Sequence, residues 1–264
     1  MTNKGVDIST IQGNVDFPSL KASGLDFVVL RCGVGNGGID ANYTKNIAGA
    51  NAAGLKVMAY HFIYPLPPTA NGTQPLRDPI KQAQYHFNAV QGQLAAIDCE
   101  WPVPQDWQKW NCSAAQINQW MKTYMDEYVR LDNGRKPLIY TYPYWAQALQ
   151  LDPYFAQYGL WIASYVNAPN PVIPHPWTDW VMWQYGSGGA YKLPNGVPVD
   201  VDMVKDLSLW DPQQPAVPPA PPIDTSGLPA NPPQVNTISP PAQPDPVGGV
   251  FNSIWNSISS LIKK

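Results

Sequence analysis

Residues 94–101 read LAAIDCEW. Leu94 to Ile97 form the apolar run of a buried strand, yet Asp98 and Glu100 follow with a single residue between them. Side chains alternate along a strand, so the two carboxyls share one face and Cys99 takes the other. A rise of about 3.3 Å per residue sets their Cα atoms about 6.6 Å apart. Like charges at that spacing raise each other's proton affinity, and partial burial adds to the effect. One carboxyl then keeps its proton near neutral pH while the other stays ionised. That division suits cleavage of a glycosidic bond, which needs an acid for the leaving oxygen and an anion for the developing cation.

Seven further runs read as strands around this one. GVDIS (5–9), DFVVLRCG (26–33) and KVMAYHFIY (56–64) precede it; KPLIYTYP (136–143), LWIASYV (160–166), WVMWQYG (180–186) and VDVDMV (199–204) follow. Helical patterns separate the early strands: NYTKNIAGANAAG (42–54), DPIKQAQYHFNAV (78–90) and SAAQINQWMKTYMDEYVRLD (113–132). Alternating strand and helix predicts parallel pairing and an α/β fold. Eight strands fit a closed barrel whose last part lacks helices, because PNPVIPHPWTD (169–179) and a Gly/Pro-rich turn join the final three strands. In such barrels the working residues gather at strand C-terminal ends. Asp7 on the first strand and Asp200 on the last are placed to face each other across the seam, making four acids at one mouth. Asp202 shares a face with Asp200 and reads as the end of its strand.

Other chemistries lack their residues. His61, His86 and His175 are scattered, and neither a G-x-S-x-G, an H-E-x-x-H nor a catalytic cysteine signature occurs. GVGNGG (33–38) is a loop without phosphate-binding spacing, and His61 reads as a hydrogen-bonded structural histidine. Cys32, Cys99 and Cys112 lack metal-site spacing, so no metal and no cofactor is expected. Lys and Arg number 16 against 19 Asp and Glu, for a net charge of −3, which gives nucleic acid no electrostatic footing. The 11 Trp and 14 Tyr supply flat faces suited to sugars as well as to a core.

Three segments are predicted. Residues 1–210 form the barrel. Residues 211–249 hold 13 of the 30 prolines and no Lys or Arg, the composition of an extended linker with a reach on the order of 100 Å. In residues 250–264, Phe251, Ile254, Trp255, Ile258, Leu261 and Ile262 recur at helical spacing, predicting a short amphipathic helix that docks on a membrane surface or a partner. The opening MTNKGVDIS lacks the apolar core of a signal peptide, and no run reaches the roughly 18 apolar residues of a membrane span.

In their order, GVDISTIQG, DFVVLRCG, DANYTKN (40–46), AGLKVMAYHFIYP, AIDCEWP, PLIYTYPYW, LWIASYV, WQYG and VDVDMV resemble the glycoside hydrolase family 25 lysozymes, N-acetylmuramidases of bacteriophages, bacteria and some fungi. The resemblance covers about residues 4–207. It implies an irregular TIM-like barrel of five β/α units followed by three plain strands. It also implies hydrolysis of the β-1,4 bond from N-acetylmuramic acid to N-acetylglucosamine in peptidoglycan. Carried over by position, Glu100 is the general acid and Asp98 orients the substrate acetamide or supports the positive transition state. Asp7 and Asp200 tune the pair and bind sugar or water. Tyr60, Tyr64, Tyr142, Tyr165, Trp183 and Gln184 resemble groove residues, and Trp101 adds a stacking surface. Without a signal peptide, such a protein is expected in a host cytoplasm before release to the wall, as a phage endolysin, or inside a virion. Ala59 replaces an expected Gly, and the insert LPPTANGTQPLRDP (66–79) departs from the family at the groove rim. A chitinase would need acids where Gln93 and Ala96 stand, and a non-catalytic wall-binding or virion module would have lost an acid.

Overall fold

The computed structural model describes residues 3–35, 37–66, 78–104, 107–188 and 191–211. The predicted linker from residue 212 on, the amphipathic tail and most of the 66–79 insert lie outside the described residues. The elements run β1 (Asn3–Ile8), α1 (Phe17–Ala22), β2 (Phe27–Val34), β3 (Gly38–Ile39), α2 (Tyr43–Ala52), β4 (Lys56–Phe62), α3 (Pro79–Ala89) and β5 (Leu94–Asp98). There follow α4 (Trp107–Trp110), α5 (Ala114–Leu131), β6 (Leu138–Thr141), α6 (Pro143–Leu149), β7 (Leu160–Ala163), β8 (Met182–Gly186) and β9 (Asp200–Val204).

Local chemistry fixes the helix ends. Asp78 accepts the N–H groups of Ile80 and Lys81 ahead of Pro79, which has no N–H to leave unsatisfied. Ser113 and Gln116 form a reciprocal capping box at the start of α5. Ile117, Trp120, Met121, Tyr124, Met125 and Tyr128 then make the buried stripe of α5, at the helical period. His86 of α3 meets that stripe, its Nδ1 2.6 Å from the Tyr124 hydroxyl.

The strands are ordered β1-β9-β8-β7-β6-β5-β4-β2, and β1 also pairs with β2, so the barrel closes; β3 folds back from β2 as a short flap. Five β/α units precede three strands without helices between them, as predicted. One feature differs from the parallel reading. β9 runs antiparallel to both β8 and β1. The described residues between Ser187 and Val199 hold no crossover helix, and a direct return reverses a strand. Asp200 therefore opens β9 rather than ending it, yet reaches the same mouth as the C-terminal ends of the parallel strands.

The barrel floor leaves no room for a side chain at Gly5. A Cβ on Gly5 would lie 2.3 Å from the Phe27 ring. Phe27 stacks at 5.2 Å on Trp210, whose Nε1 donates to the Val57 carbonyl and closes the base. Outside the barrel, His61 and His86 stack at 4.8 Å under α3, both fully buried, and the Gly35 carbonyl lies 2.6 Å from His61 Nε2. Burial holds the His61 imidazole down to about 3 and His86 far below the usual histidine range. Both are structural, as His61 was expected to be.

Candidate active site

Register assigns the inward faces. Asp7 pairs with Asp200 across the seam, Asp98 pairs with Tyr140, and Gln184 pairs with Asp202. Paired residues share a face, so one polar layer crosses the barrel just under its mouth. Asp98 is the last residue of β5, and Glu100 lies two residues beyond the strand. Both carboxyls are more than nine-tenths buried.

Gln184 is the hub of this layer. Its Oε1 accepts the hydroxyls of Tyr140 at 3.1 Å and Tyr165 at 2.5 Å, while its Nε2 donates to Asp7 at 2.7 Å. With both hydroxyls donating to the amide oxygen, the amide N–H is turned to Asp7. Asp200 accepts the Gly188 N–H at 2.9 Å. Asp98 and Glu100 each keep one buried oxygen with no protein donor among the described residues.

Burial raises the proton affinity of every acid here. Asp7 is pushed up to about 8, first by desolvation and then by Asp200. Glu100 is raised far above the carboxylate range by burial and by Asp98, Asp200 and Asp7, with no cation opposing them. Asp98 is raised by burial and Asp7, but the Arg31 guanidinium pulls it down. When one of the two gives up its proton first, the Arg31 charge selects Asp98. The two carboxyls thus sit in unequal surroundings, Asp98 within the influence of a cation and Glu100 among acids alone.

Arg31 was not singled out in the sequence. It sits inside the barrel on β2, 6% exposed, with Nε 3.1 Å from Asp40 Oδ2. Asp40 also accepts the N–H groups of Thr10 and Asn42, so the pair ties the β1 and β2 loops together. A lone cation in the apolar run FVVLRC was the available signal. Tyr140 was missed as well, although it shares a face with Tyr142 in IYTY.

The aromatic residues divide. Tyr60 meets Trp161 edge to face at 6.1 Å. Tyr64, Trp101 and Trp110 form a chain of edge-to-face contacts at 5.0 and 5.1 Å beside Glu100, with Trp101 partly exposed. Tyr142 is buried, and its hydroxyl is raised chiefly by burial and then by Glu100. Trp183 is a correction. It precedes inward-facing Gln184 and so points to the outer face of β8, where it packs on Trp180 and Tyr185 and donates to the Ser164 carbonyl at 2.7 Å. It supports the wall and does not line the groove.

Two buried carboxyls at one mouth of a closed α/β barrel supply the pair of acids that glycosidic cleavage uses. Residues 6–192 match the family described as glycosyl hydrolases family 25, and the chain belongs to that family. It is 29% identical over 201 residues to the autolytic lysozyme of Clostridium acetobutylicum, covering 76% of this chain and 54% of that one, so it spans about half the relative's length. It is 27% identical to the N,O-diacetylmuramidase of Chalaropsis sp. over 224 residues, covering 78% of this chain and 99% of the relative. The fold matches the bacterial lysozyme from Streptomyces coelicolor with a TM-score of 0.66 at 23% identity, covering 80% of this chain and 97% of the other. Asp200 and Asp202 lie beyond the residues that the family match covers.

Proposed function

We propose that this chain is a lysozyme that hydrolyses the β-1,4 bond from N-acetylmuramic acid to N-acetylglucosamine in bacterial peptidoglycan. Glu100 protonates the leaving oxygen. Asp98 supports the positive charge that develops on the sugar or orients its acetamide. Asp7 and Asp200 hold sugar or water opposite them, and Tyr60, Tyr64, Trp101, Tyr142 and Tyr165 offer ring faces and hydroxyls to the glycan. The observation that carries this reading is the gathering of four acids at one barrel mouth: Asp7 pairs with Asp200 across the seam, Asp98 ends β5, and Glu100 lies two residues beyond it, buried like Asp98. The muramidase and lysozyme names of the relatives support the choice of glycan. Digesting purified wall and identifying the sugar at the new reducing end tests it. Muramic acid is the expected result, and glucosamine or no release refutes it.

The tail carries the second part of the reading. Residues 250–264 lie outside the described residues, and we propose from their sequence pattern that they dock on a membrane surface or a virion protein, in a phage lysin that acts after release from the cytoplasm or from the particle. Its support is the spacing of Phe251, Ile254, Trp255, Ile258, Leu261 and Ile262 beyond a proline-rich tether. Deleting residues 250–264 is expected to leave cleavage of purified wall unchanged and to weaken killing of whole cells. Equal activity in both assays removes the anchor.

A further inference from the structure

Asp202 lies one step below the mouth, on the same face of β9 as Asp200, and is fully buried. Its Oδ1 accepts the Trp161 Nε1–H at 2.8 Å. Its Oδ2 meets no N–H or O–H donor among the described residues. Across the seam Asp202 pairs with Gly5 and Asp200 with Asp7, so the Asp7 carboxyl is its diagonal neighbour on the same face, within reach of a shared hydrogen bond. Ionised carboxylates only accept, so a hydrogen bond between two of them requires a proton on one. The titratable groups that act on Asp202 are Asp7 on β1 and Asp200 on its own strand, and neither is a cation that would balance a pair of anions.

We propose that Asp202 is a positioning residue that stays protonated and donates its carboxyl proton to Asp7. Asp7 then receives two donors, Asp202 from below and Gln184 Nε2 from the side. Together they fix the carboxyl that faces Asp200 across the seam. Burial is the first cause holding the Asp202 proton in place, and contact with Asp7 adds to it. The inference rests on the lysozyme reading only for what Asp7 does once it is held.

Two variants of the full chain separate a proton donor from a buried charge. In Asp202→Asn the amide oxygen accepts from Trp161 and one amide N–H donates to Asp7, so both hydrogen bonds of the neutral acid are kept and one N–H is added. Asp202→Leu keeps the bulk and removes both bonds. Asp202→Asn is expected to hold kcat within about threefold of wild type and to leave the pH–rate profile in place, whereas Asp202→Leu loses about tenfold or more in kcat. The infrared spectrum of Asp202→Asn at neutral pH is expected to lack one neutral carboxylic-acid C=O band present in wild type. The proposal is overturned if Asp202→Asn is as impaired as Asp202→Leu, or if the band lost is a carboxylate band. It is equally overturned if the alkaline limb of Asp202→Asn moves down by about one unit, as removal of a negative charge would move it. Should Asp202→Leu not fold, the Asn variant and its spectrum decide alone. A wild type that cleaves no glycan refutes the lysozyme reading, while the spectrum still reads the proton.

Discussion

Glu100→Gln lowers the rate of glycan cleavage by about 10²–10⁴-fold, the range a general acid contributes. The substitution keeps the outline of the side chain and removes the one proton placed to leave it. Structure should not suffer, because Glu100 makes no ion pair among the described residues and is raised far above the carboxylate range chiefly by burial. The sign of the stability effect follows. A carboxyl whose folded pKa lies above its unfolded value contributes fully below the unfolded value, here 4.5, and that contribution is lost as pH rises. Gln has no charge to bury, so the variant is expected to unfold no earlier than wild type at neutral pH. Turbidity loss and release of reducing ends, read beside a thermal melt, check both halves. A folded Glu100→Gln protein that clears purified wall at the wild-type rate removes Glu100 from the chemistry.

Asp98→Asn is expected to cost about 10²-fold or more in kcat, since the charge facing the developing cation disappears. It also has a signature that a packing defect lacks. Asp98 is the first-ranked charged neighbour raising the proton affinity of Glu100. With that charge gone, Glu100 ionises more readily, and the alkaline limb of the pH–rate profile moves to lower pH by about one unit or more. The acid limb, which reports protonation of Asp98 itself, is expected to vanish. An alkaline limb that stays put, or moves up, contradicts the division of roles between the two acids.

The arrangement of these acids was legible where it follows from strand geometry. Asp98 and Glu100 share a face by alternation alone, and closure of eight strands brings Asp7 opposite Asp200. Strand direction was not legible. A period of two is the same read either way, so only the missing helix before VDVDMV carried the reversal of β9. Trp183 shows a different failure: similarity placed it in the groove, whereas alternation with Gln184 already forbade both from facing inward. Arg31 and Tyr140 were passed over because each looks like ordinary strand composition until register shows which carboxyl or amide lies beside it. Asp202 reads as a strand terminus in sequence, and its contact with Asp7 depends on which way β9 runs.

The seam between β1 and β9 has a consequence for how the protein is made. Residues 3–8 wait for residues 200–204 before the barrel is complete, and contacts so distant along the chain form late and slowly. A ribosome that has delivered Asp98 and Glu100 has therefore made two acids with no pocket around them. On the proposed reading, the nascent polypeptide is expected to leave wall intact until its ninth strand emerges and closes the barrel against β1.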